Sequence, residues 1–301
     1  MEGILHVYQR TLNGFNIFYD VEDYLVFFSI FAKVSEKYKI RIVGLCIMID
    51  HLHYLIDADS DEEVCRFVSH FTSVFVKKYN EDVGRKGSLF ESSFGRAWKK
   101  GPKKIRTSIA YVLNNPVEKG LCRSMEEYRW NFMAYATDSN PFSARVRLRD
   151  SSKAFRNAVA EINRVTDKGS WLNFTQVRRL FSKLSEDDRK RLTDYIISCY
   201  NPIDYGYAVS YYGSIQKLRI AVNSNTGSEY DIKEAFHHGS DVAYREIISY
   251  IRRKLQVSPV RSVTTWAAED KMSLAGNLHH HTCASISQIF RFLHMVCQIS
   301  R

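Results

Sequence analysis

Residues 40–56, IRIVGLCIMIDHLHYLI, decide the fold that this sequence predicts. Residues 40–49 form a continuous apolar run, as expected of a central strand buried on both faces of a sheet. Asp50 is a polar break, and residues 51–56 have the composition of a second strand. The flanking segments have to fit around these two successive strands.

Those flanking segments complete an α+β pattern. Asp20 stands where a helix N-cap is expected, and Asn114-Asn115-Pro116 predicts a helix stop, because the residue before proline is pushed out of the helical region. The predicted elements follow the order βαββαβα: strand 4–11, helix 20–39, strands 40–49 and 51–56, helix 62–80, strand 89–98 and helix 105–113.

The second half of the chain is predicted to be mostly helical. Residues 138–152 have the composition of a linker, so we expect a first domain over 1–137 and an α-helical domain over 153–301. Residues 205–212 are rich in aromatic side chains and match neither helical nor strand periodicity. Helical periodicity marks residues 153–165, 175–184, 186–199, 230–237, 241–255 and 271–295.

Composition narrows the class of protein. The 301 residues include 43 Lys and Arg against 33 Asp and Glu, and a net charge of +10 makes polyanions plausible partners. No apolar run approaches the roughly 18 residues that span a bilayer, and the N-terminus lacks the features of a secretory signal. We therefore expect a cytoplasmic protein without membrane contact. The six cysteines show no C-x-x-C spacing, which favours reduced, mostly buried thiols over disulfides or zinc.

His51 and His53 carry the sharpest chemical signal. Residues i and i+2 of a strand project to one face, so both imidazoles can reach one metal ion while Leu52 points into the core. A catalytic divalent ion also needs a third protein ligand and open positions for substrate oxygens. Two half-exposed histidines without a metal are the alternative at this point.

A basic stretch leads up to Tyr111. It contains a single acid, Glu91, and can either follow a phosphate backbone or form a solvated face. Tyr111 and Asn115 lie four residues apart and are therefore neighbours on a helix surface, with Asn115 in a frayed last turn. The eight basic residues are Arg85, Lys86, Arg96, Lys99, Lys100, Lys103, Lys104 and Arg106.

Four motifs in this order resemble the single-tyrosine HUH transposases, and among them most closely the REP-associated tyrosine transposases. The motifs are residues 6–10 (HVYQR), 48–56 (MIDHLHYLI), 89–91 (LFE) and 111–121 (YVLNNPVEKGL). The similarity extends over residues 4–135, a little under half of the chain. It implies a ferredoxin-like antiparallel sheet with helices, the HUH nuclease layer.

The resemblance also implies roles for individual residues. His51 and His53 would bind Mg²⁺ or Mn²⁺, Asn115 would be the third ligand, and Tyr111 would be the nucleophile. In the family, the tyrosine attacks a phosphodiester of single-stranded DNA that contains hairpins, which creates a 5′-phosphotyrosine link and frees a 3′-hydroxyl. The ion polarises the scissile phosphate.

The resemblance also bears on positions around these residues. Gln9 and Arg10 of the first strand, and the basic residues between Arg85 and Arg106, would contact the DNA. The neighbouring Asn114 leaves the choice of amide ligand open. Ile49 replaces the family's usual proline, and Lys119 replaces a small residue, which adds charge near the site.

Two further functions fit the same residues. A catalytically silent DNA-binding regulator with a transposase fold would have no physical need for His51, His53 and Tyr111 together. A metal phosphohydrolase would use the two histidines with a water nucleophile. A transposase and a DNA-binding regulator would both be associated with the nucleoid. Either could be a monomer or a homodimer.

The C-terminal half adds a weaker resemblance. Residues 271–281 and 285–295 are similar to the start of a helix-turn-helix of the Trp-repressor type found in the replication initiator DnaA, with a plain helical bundle as the alternative. This half would then be a second DNA-binding unit, although its function is not defined by its sequence.

Overall fold

The structure is a computed structural model that describes residues 3–224 and 242–296. It confirms the α+β class and the predicted order βαββαβα of the first half. The predicted helix 230–237 and Cys297 lie outside the described residues. The first-half elements are β1 (Ile4–Arg10), α1 (Val21–Ser35), β2 (Ile40–Ile47), β3 (His51–Ala58), α2 (Asp61–Val83), β4 (Gly95–Lys99) and α3 (Pro102–Glu118). The second-half helices are α4 (Lys153–Asp167), α5 (Phe174–Phe181), α6 (Glu186–Tyr200), α7 (Tyr205–Ser210), α8 (Ile215–Asn223), α9 (Val242–Lys254), α10 (Ala268–His281) and α11 (Ile286–Phe292).

The four strands form one antiparallel sheet in the order β2-β3-β1-β4, which is the ferredoxin-like arrangement. In the register of the two central strands, Tyr8 lies opposite His53 and Arg10 lies opposite His51. Because opposite residues of an antiparallel pair project to the same face, these four side chains share one side of the sheet.

Helices cover both faces of the sheet, and strand alternation divides the side chains between them. Helix α3 packs on the face that carries the two histidines, while α2 packs on the opposite face of β3. Leu52 and Tyr54 point to that opposite side, where the Tyr54 ring contacts Phe31 and Phe71. The predicted inward orientation of Leu52 is therefore confirmed.

Helix α3 does not stop at Asn114, contrary to the prediction. It continues through Pro116 to Glu118, and the N–H groups of Lys119 and Leu121 donate to the carbonyls of Asn115 and Pro116 at 3.1 and 2.9 Å. A proline removes only its own N–H donor, and tertiary packing outweighs that local cost here. Asn115 is consequently held inside a helix and not in a frayed turn.

The start of strand β4 and the end of helix α1 also differ from the prediction. Strand β4 begins at Gly95, because residues 89–94 join the sheet only through an isolated bridge between Phe90 and Thr11. Helix α1 ends at Ser35, four residues early. At its start, Asp20 and Asp23 form the reciprocal pair of hydrogen bonds called a capping box.

The segment 138–152 does not separate two hydrophobic cores, as a domain boundary there would require. Helices α5 and α6 pack on α1, and α4 packs on α6, so one continuous core extends from β1 to α8. The Leu172 N–H donates to Ser29 of α1 at 3.1 Å, which ties the two parts together. The aromatic stretch 205–212 contains the short helix α7, which packs on β2.

A second, smaller core is built by α9, α10 and α11 together with Tyr19 and Ile49. The Tyr19 hydroxyl lies 2.8 Å from the carbonyl of Phe292, and His294 Nε2 donates to the carbonyl of Asn16 at 2.6 Å. Burial lowers the pKa of His294 to about 4, so this imidazole is neutral at neutral pH. The last described helices are thus docked on the segment that follows β1.

Within the described ranges, no helix has both the length and the apolar character to cross a membrane. All five cysteines of these ranges are free thiols, although only Cys46 is fully buried and Cys283 is exposed. Helix α11 has seven residues and buries Ile289 and Phe292 against the smaller core. DNA binding through a helix-turn-helix in this region stays a prediction.

Candidate functional site

The two histidines of β3 meet the side chain of Asn115 from α3. His51 and His53 are 7% and 0% exposed. His51 Nε2 lies 3.3 Å from Asn115 Oδ1, and His53 Nε2 lies 3.4 Å from Asn115 Nδ2. The structure therefore brings the three predicted ligands together, and it places Asn115, not Asn114, between the two rings.

The other nitrogen of each imidazole is held by a neighbouring side chain. His51 Nδ1 lies 2.6 Å from Asp50 Oδ1, and His53 Nδ1 lies 3.1 Å from His6 Nε2. Because an ionised carboxylate only accepts hydrogen bonds, His51 carries a proton on Nδ1, and its Nε2 faces Asn115. Such contacts orient a metal-binding imidazole.

Electrostatics keeps Asp50 in the ionised form. Burial alone would raise the pKa of this carboxyl group, but the charge and hydrogen bond of His51 hold it below its usual value. The more distant charges of Lys119 and Arg291 lower it further. Asp50 is therefore a carboxylate acceptor at neutral pH.

The amide oxygen of Asn115 and Nε2 of His51 fit a divalent cation. Ligand atoms that hold Mg²⁺ octahedrally at about 2.1 Å lie about 3 Å from each other, close to the 3.3 Å between these two atoms. His53 Nε2 lies next to the amide Nδ2, which is a hydrogen-bond donor and not a metal ligand, so the 3.4 Å contact is a hydrogen bond to this imidazole. The described residues hold no group of three His, Cys, Asp or Glu that could bind a metal, so an ion here depends on the amide as third ligand.

Tyr111 lies one helical turn before Asn115 on the same face of α3. Its side chain is 1% exposed, and its ring centroid is 5.4 Å from that of His53 and 5.9 Å from that of His6, both edge to face. The predicted nucleophile and the predicted metal ligands therefore form one cluster between α3 and the sheet.

Sequence reasoning missed three residues of this cluster: His6, Tyr8 and Asp50. The Tyr8 ring stacks on His53 with centroids 4.8 Å apart, and the half-buried Arg10 donates to the Tyr8 hydroxyl. Period-2 alternation along β1 is the signal that places His6, Tyr8 and Arg10 on one face.

The same alternation corrects the prediction for Gln9. Its side chain is 3% exposed, donates to Thr72 at 3.2 Å and accepts from the Tyr54 hydroxyl at 3.2 Å. These partners lie on the α2 side of the sheet, opposite the histidines. Gln9 is a buried structural residue and not a DNA contact.

The basic stretch divides into structural and exposed residues. Lys99 pairs with Ile4 in the sheet and is fully buried, and the guanidinium of Arg85 donates to Asn80 and to the carbonyls of Gly87 and Ser88. These two residues are therefore removed from the predicted DNA contacts. The exposed members are Lys86, Arg96, Lys100, Lys103, Lys104 and Arg106.

Three of the exposed members lie in the first turns of α3. This helix end has Gly101 as an N-cap without a side-chain hydrogen bond and has no acid in its first turn. The positive end of the helix dipole and the charges of Lys103, Lys104 and Arg106 therefore reinforce one another. Arg96, by contrast, pairs with Asp61 at 3.1 Å.

Comparisons with known proteins give a family match and a structural match. Residues 4–115, a little over a third of the chain, match the family described as "Transposase IS200 like". No curated protein matches the chain. Among solved structures, a REP-associated tyrosine transposase bound to a REP hairpin is 15% identical; the match covers 42% of this chain and 74% of that one, with a TM-score of 0.35.

The neighbouring amides of α3 provide a test of the metal site. Asn115→Ala is expected to weaken Mn²⁺ binding by about 10- to 100-fold, because one of three protein ligands is lost. Asn114→Ala keeps that ligand and should change the affinity by less than about twofold. Calorimetric titration of both folded variants measures the difference, and equal affinities would contradict the assignment of Asn115.

Proposed function

We propose that this chain is a metal-dependent transposase that cleaves single-stranded DNA beside a hairpin and holds the 5′ end as a phosphotyrosine on Tyr111. One observation carries the proposal: the Tyr111 ring packs on His53, and Asn115, one turn later on α3, lies between His51 and His53. The match of residues 4–115 to the IS200-like transposases supports a DNA-cleaving activity in general.

In the proposed reaction, the Tyr111 oxygen forms a bond to phosphorus while the bond from phosphorus to the 3′ oxygen breaks. The tyrosine loses its proton, and the departing 3′ oxygen gains one. Bound Mg²⁺ or Mn²⁺ would supply Lewis-acid polarisation of the scissile phosphate. One phosphoester replaces another, so the reverse attack by a 3′-hydroxyl rejoins a strand without ATP.

The residues around the ligands have positioning roles in this proposal. Asp50 holds His51, and His6 holds His53, so both rings keep the orientation that the amide of Asn115 completes. Tyr8 stacks on His53, and both Tyr8 and Arg10 are half-buried. Arg10 is partly accessible on the face that carries the histidines, and we propose that it contacts the DNA.

The start of α3 is the proposed contact for the DNA backbone. Lys100, Lys103, Lys104 and Arg106 are exposed there, and the helix dipole adds positive potential. Such a surface binds phosphates without reading base sequence. We propose that it positions the strand whose scissile phosphate enters the cluster, and that the protein acts on the nucleoid in the cytoplasm.

The test is to incubate the protein with 3′-end-labelled, hairpin-containing single-stranded DNA and Mn²⁺, and to analyse the products under denaturing conditions. We expect a protein band that carries label and disappears when a chelator is added. Cleavage without this band would support the phosphohydrolase in place of the transposase. Binding without cleavage in the presence of metal would support the silent regulator and overturn both enzymatic functions.

A further inference from the structure

A cleft between α9 and the start of α1 lies outside the cluster just described. We propose that it is a second site for single-stranded nucleic acid, which takes up unpaired nucleotides away from the scissile phosphate. This inference rests on the proposed function for the nature of its ligand. Half of the cleft comes from a helix beyond the segment that matches the transposase family.

The cleft has the volume of a ligand pocket. Its outer chamber measures about 400 Å³ and lies between Tyr24 and Trp130 on one side and three arginines of α9 on the other. An inner chamber of about 120 Å³ shares Tyr24 and Trp130 with it and reaches Ile49, the residue before Asp50. The cleft therefore extends to the turn that orients His51.

The charge of the cleft favours an anion. Arg245, Arg252 and Arg253 line the outer chamber, and Asp20 is the single acid among the lining residues. Asp20 already pairs with Arg252 at 2.5 Å and accepts a hydrogen bond from the Val260 N–H at 2.8 Å. Among the residues that the structure describes, neither Arg245 nor Arg253 forms an ion pair, so both charges can act on a ligand, although Arg245 also donates to the carbonyl of Leu121 at 2.9 Å.

The aromatic residues give the cleft an apolar wall beside that anion. Tyr24 and Trp130 line both chambers and stack on each other with centroids 4.2 Å apart, while Phe18 covers the other face of Tyr24 at 4.8 Å. An unpaired nucleotide carries a largely apolar base next to its phosphate, which suits an aromatic wall next to cationic side chains. The bases of a double helix are paired and stacked on one another, so they are not available to such a cleft.

The test removes the two available arginines from the full-length chain in metal-free buffer. Arg245→Gln with Arg253→Gln is compared with Lys77→Gln with Lys190→Gln, which removes the same charge from exposed positions that do not line the cleft. A fluorescent 12-nucleotide thymidine strand serves as the ligand, and anisotropy is recorded at several salt concentrations. Unchanged melting temperatures establish that both variants are folded.

We expect the cleft variant to bind the strand about tenfold more weakly, and the slope of log affinity against log salt to fall by about 1.4, which corresponds to two lost phosphate contacts on a single strand. The control should stay within about twofold of the wild type. An equal loss in the control, an unchanged salt slope, or an equal loss with a blunt duplex would each overturn the proposal. The experiment measures binding and not cleavage. Its result can therefore be interpreted even when Tyr111 forms no phosphotyrosine.

Discussion

Replacing Tyr111 with phenylalanine is expected to abolish the covalent DNA adduct and to lower strand cleavage by about 10³-fold or more. The substitution removes the oxygen that forms the bond to phosphorus in the proposed reaction. It keeps the ring that packs against His53 and His6, so the cluster around the proposed metal ligands should persist. Adduct yield under denaturing conditions and single-turnover cleavage rates measure both effects.

The matched control is Tyr54→Phe, which also removes one buried phenolic hydroxyl. Tyr54 follows His53 in β3 but faces the opposite side of the sheet, where its hydroxyl donates to Gln9 at 3.2 Å. We expect this variant to lose about 1 kcal/mol of stability and to form the adduct normally. An adduct that survives in Tyr111→Phe would assign the nucleophile to another residue, and undiminished cleavage without an adduct would indicate attack by water.

The largest expected effect on stability comes from Arg261, which lies in the short helical segment Val260–Thr265 after α9. Its side chain is fully buried between Asp23 of α1 and Asp82 of α2, and its guanidinium carbon lies 3.9 Å from the ring centroid of Phe174. Burial lowers the pKa of Arg261 to about 10, so the group is still charged at neutral pH. It links the smaller core to the layer that carries the site.

Arg261→Ala is expected to lower the free energy of unfolding by about 3–5 kcal/mol, because two buried carboxylates lose a partner. Arg261→Met restores apolar volume but no charge and should be similarly unstable. Arg179→Ala, which breaks an exposed pair with Glu161, should cost less than about 1 kcal/mol. Denaturant unfolding of the three variants gives the comparison, and a loss below about 1 kcal/mol for Arg261→Ala would show that the buried charges are compensated in another way.

Local sequence patterns predicted the elements of the first half of the chain well, because the spacing of its apolar and polar residues matches the periods of strands and helices. The apolar run before Asp50, the N-cap Asp20, and the i, i+2 spacing of His51 and His53 each express a rule that acts over a few residues. The same rule for β1 would have separated Gln9 from Arg10, since neighbouring strand residues face opposite sides.

Other features could not follow from local rules. Pro116 predicts a helix end, yet packing on the sheet carries α3 past it and keeps Asn115 between the histidines. Lys99 and Arg85 belong to a basic stretch by sequence but are buried or bonded within the fold. The composition of residues 138–152 suggests a linker, although the helices after it continue the same core.

By itself, the sequence determined the α+β class of the first half, the shared face of His51 and His53, and the helix that carries Tyr111. These features follow from strand and helix periods, which are set by near neighbours along the chain. Only the tertiary structure decided which amide meets both imidazoles and which cations stay exposed. It also decided that α9 faces the start of α1 across a cleft with arginines and aromatic rings. These are contacts between residues far apart in sequence, and they depend on how complete elements pack against one another.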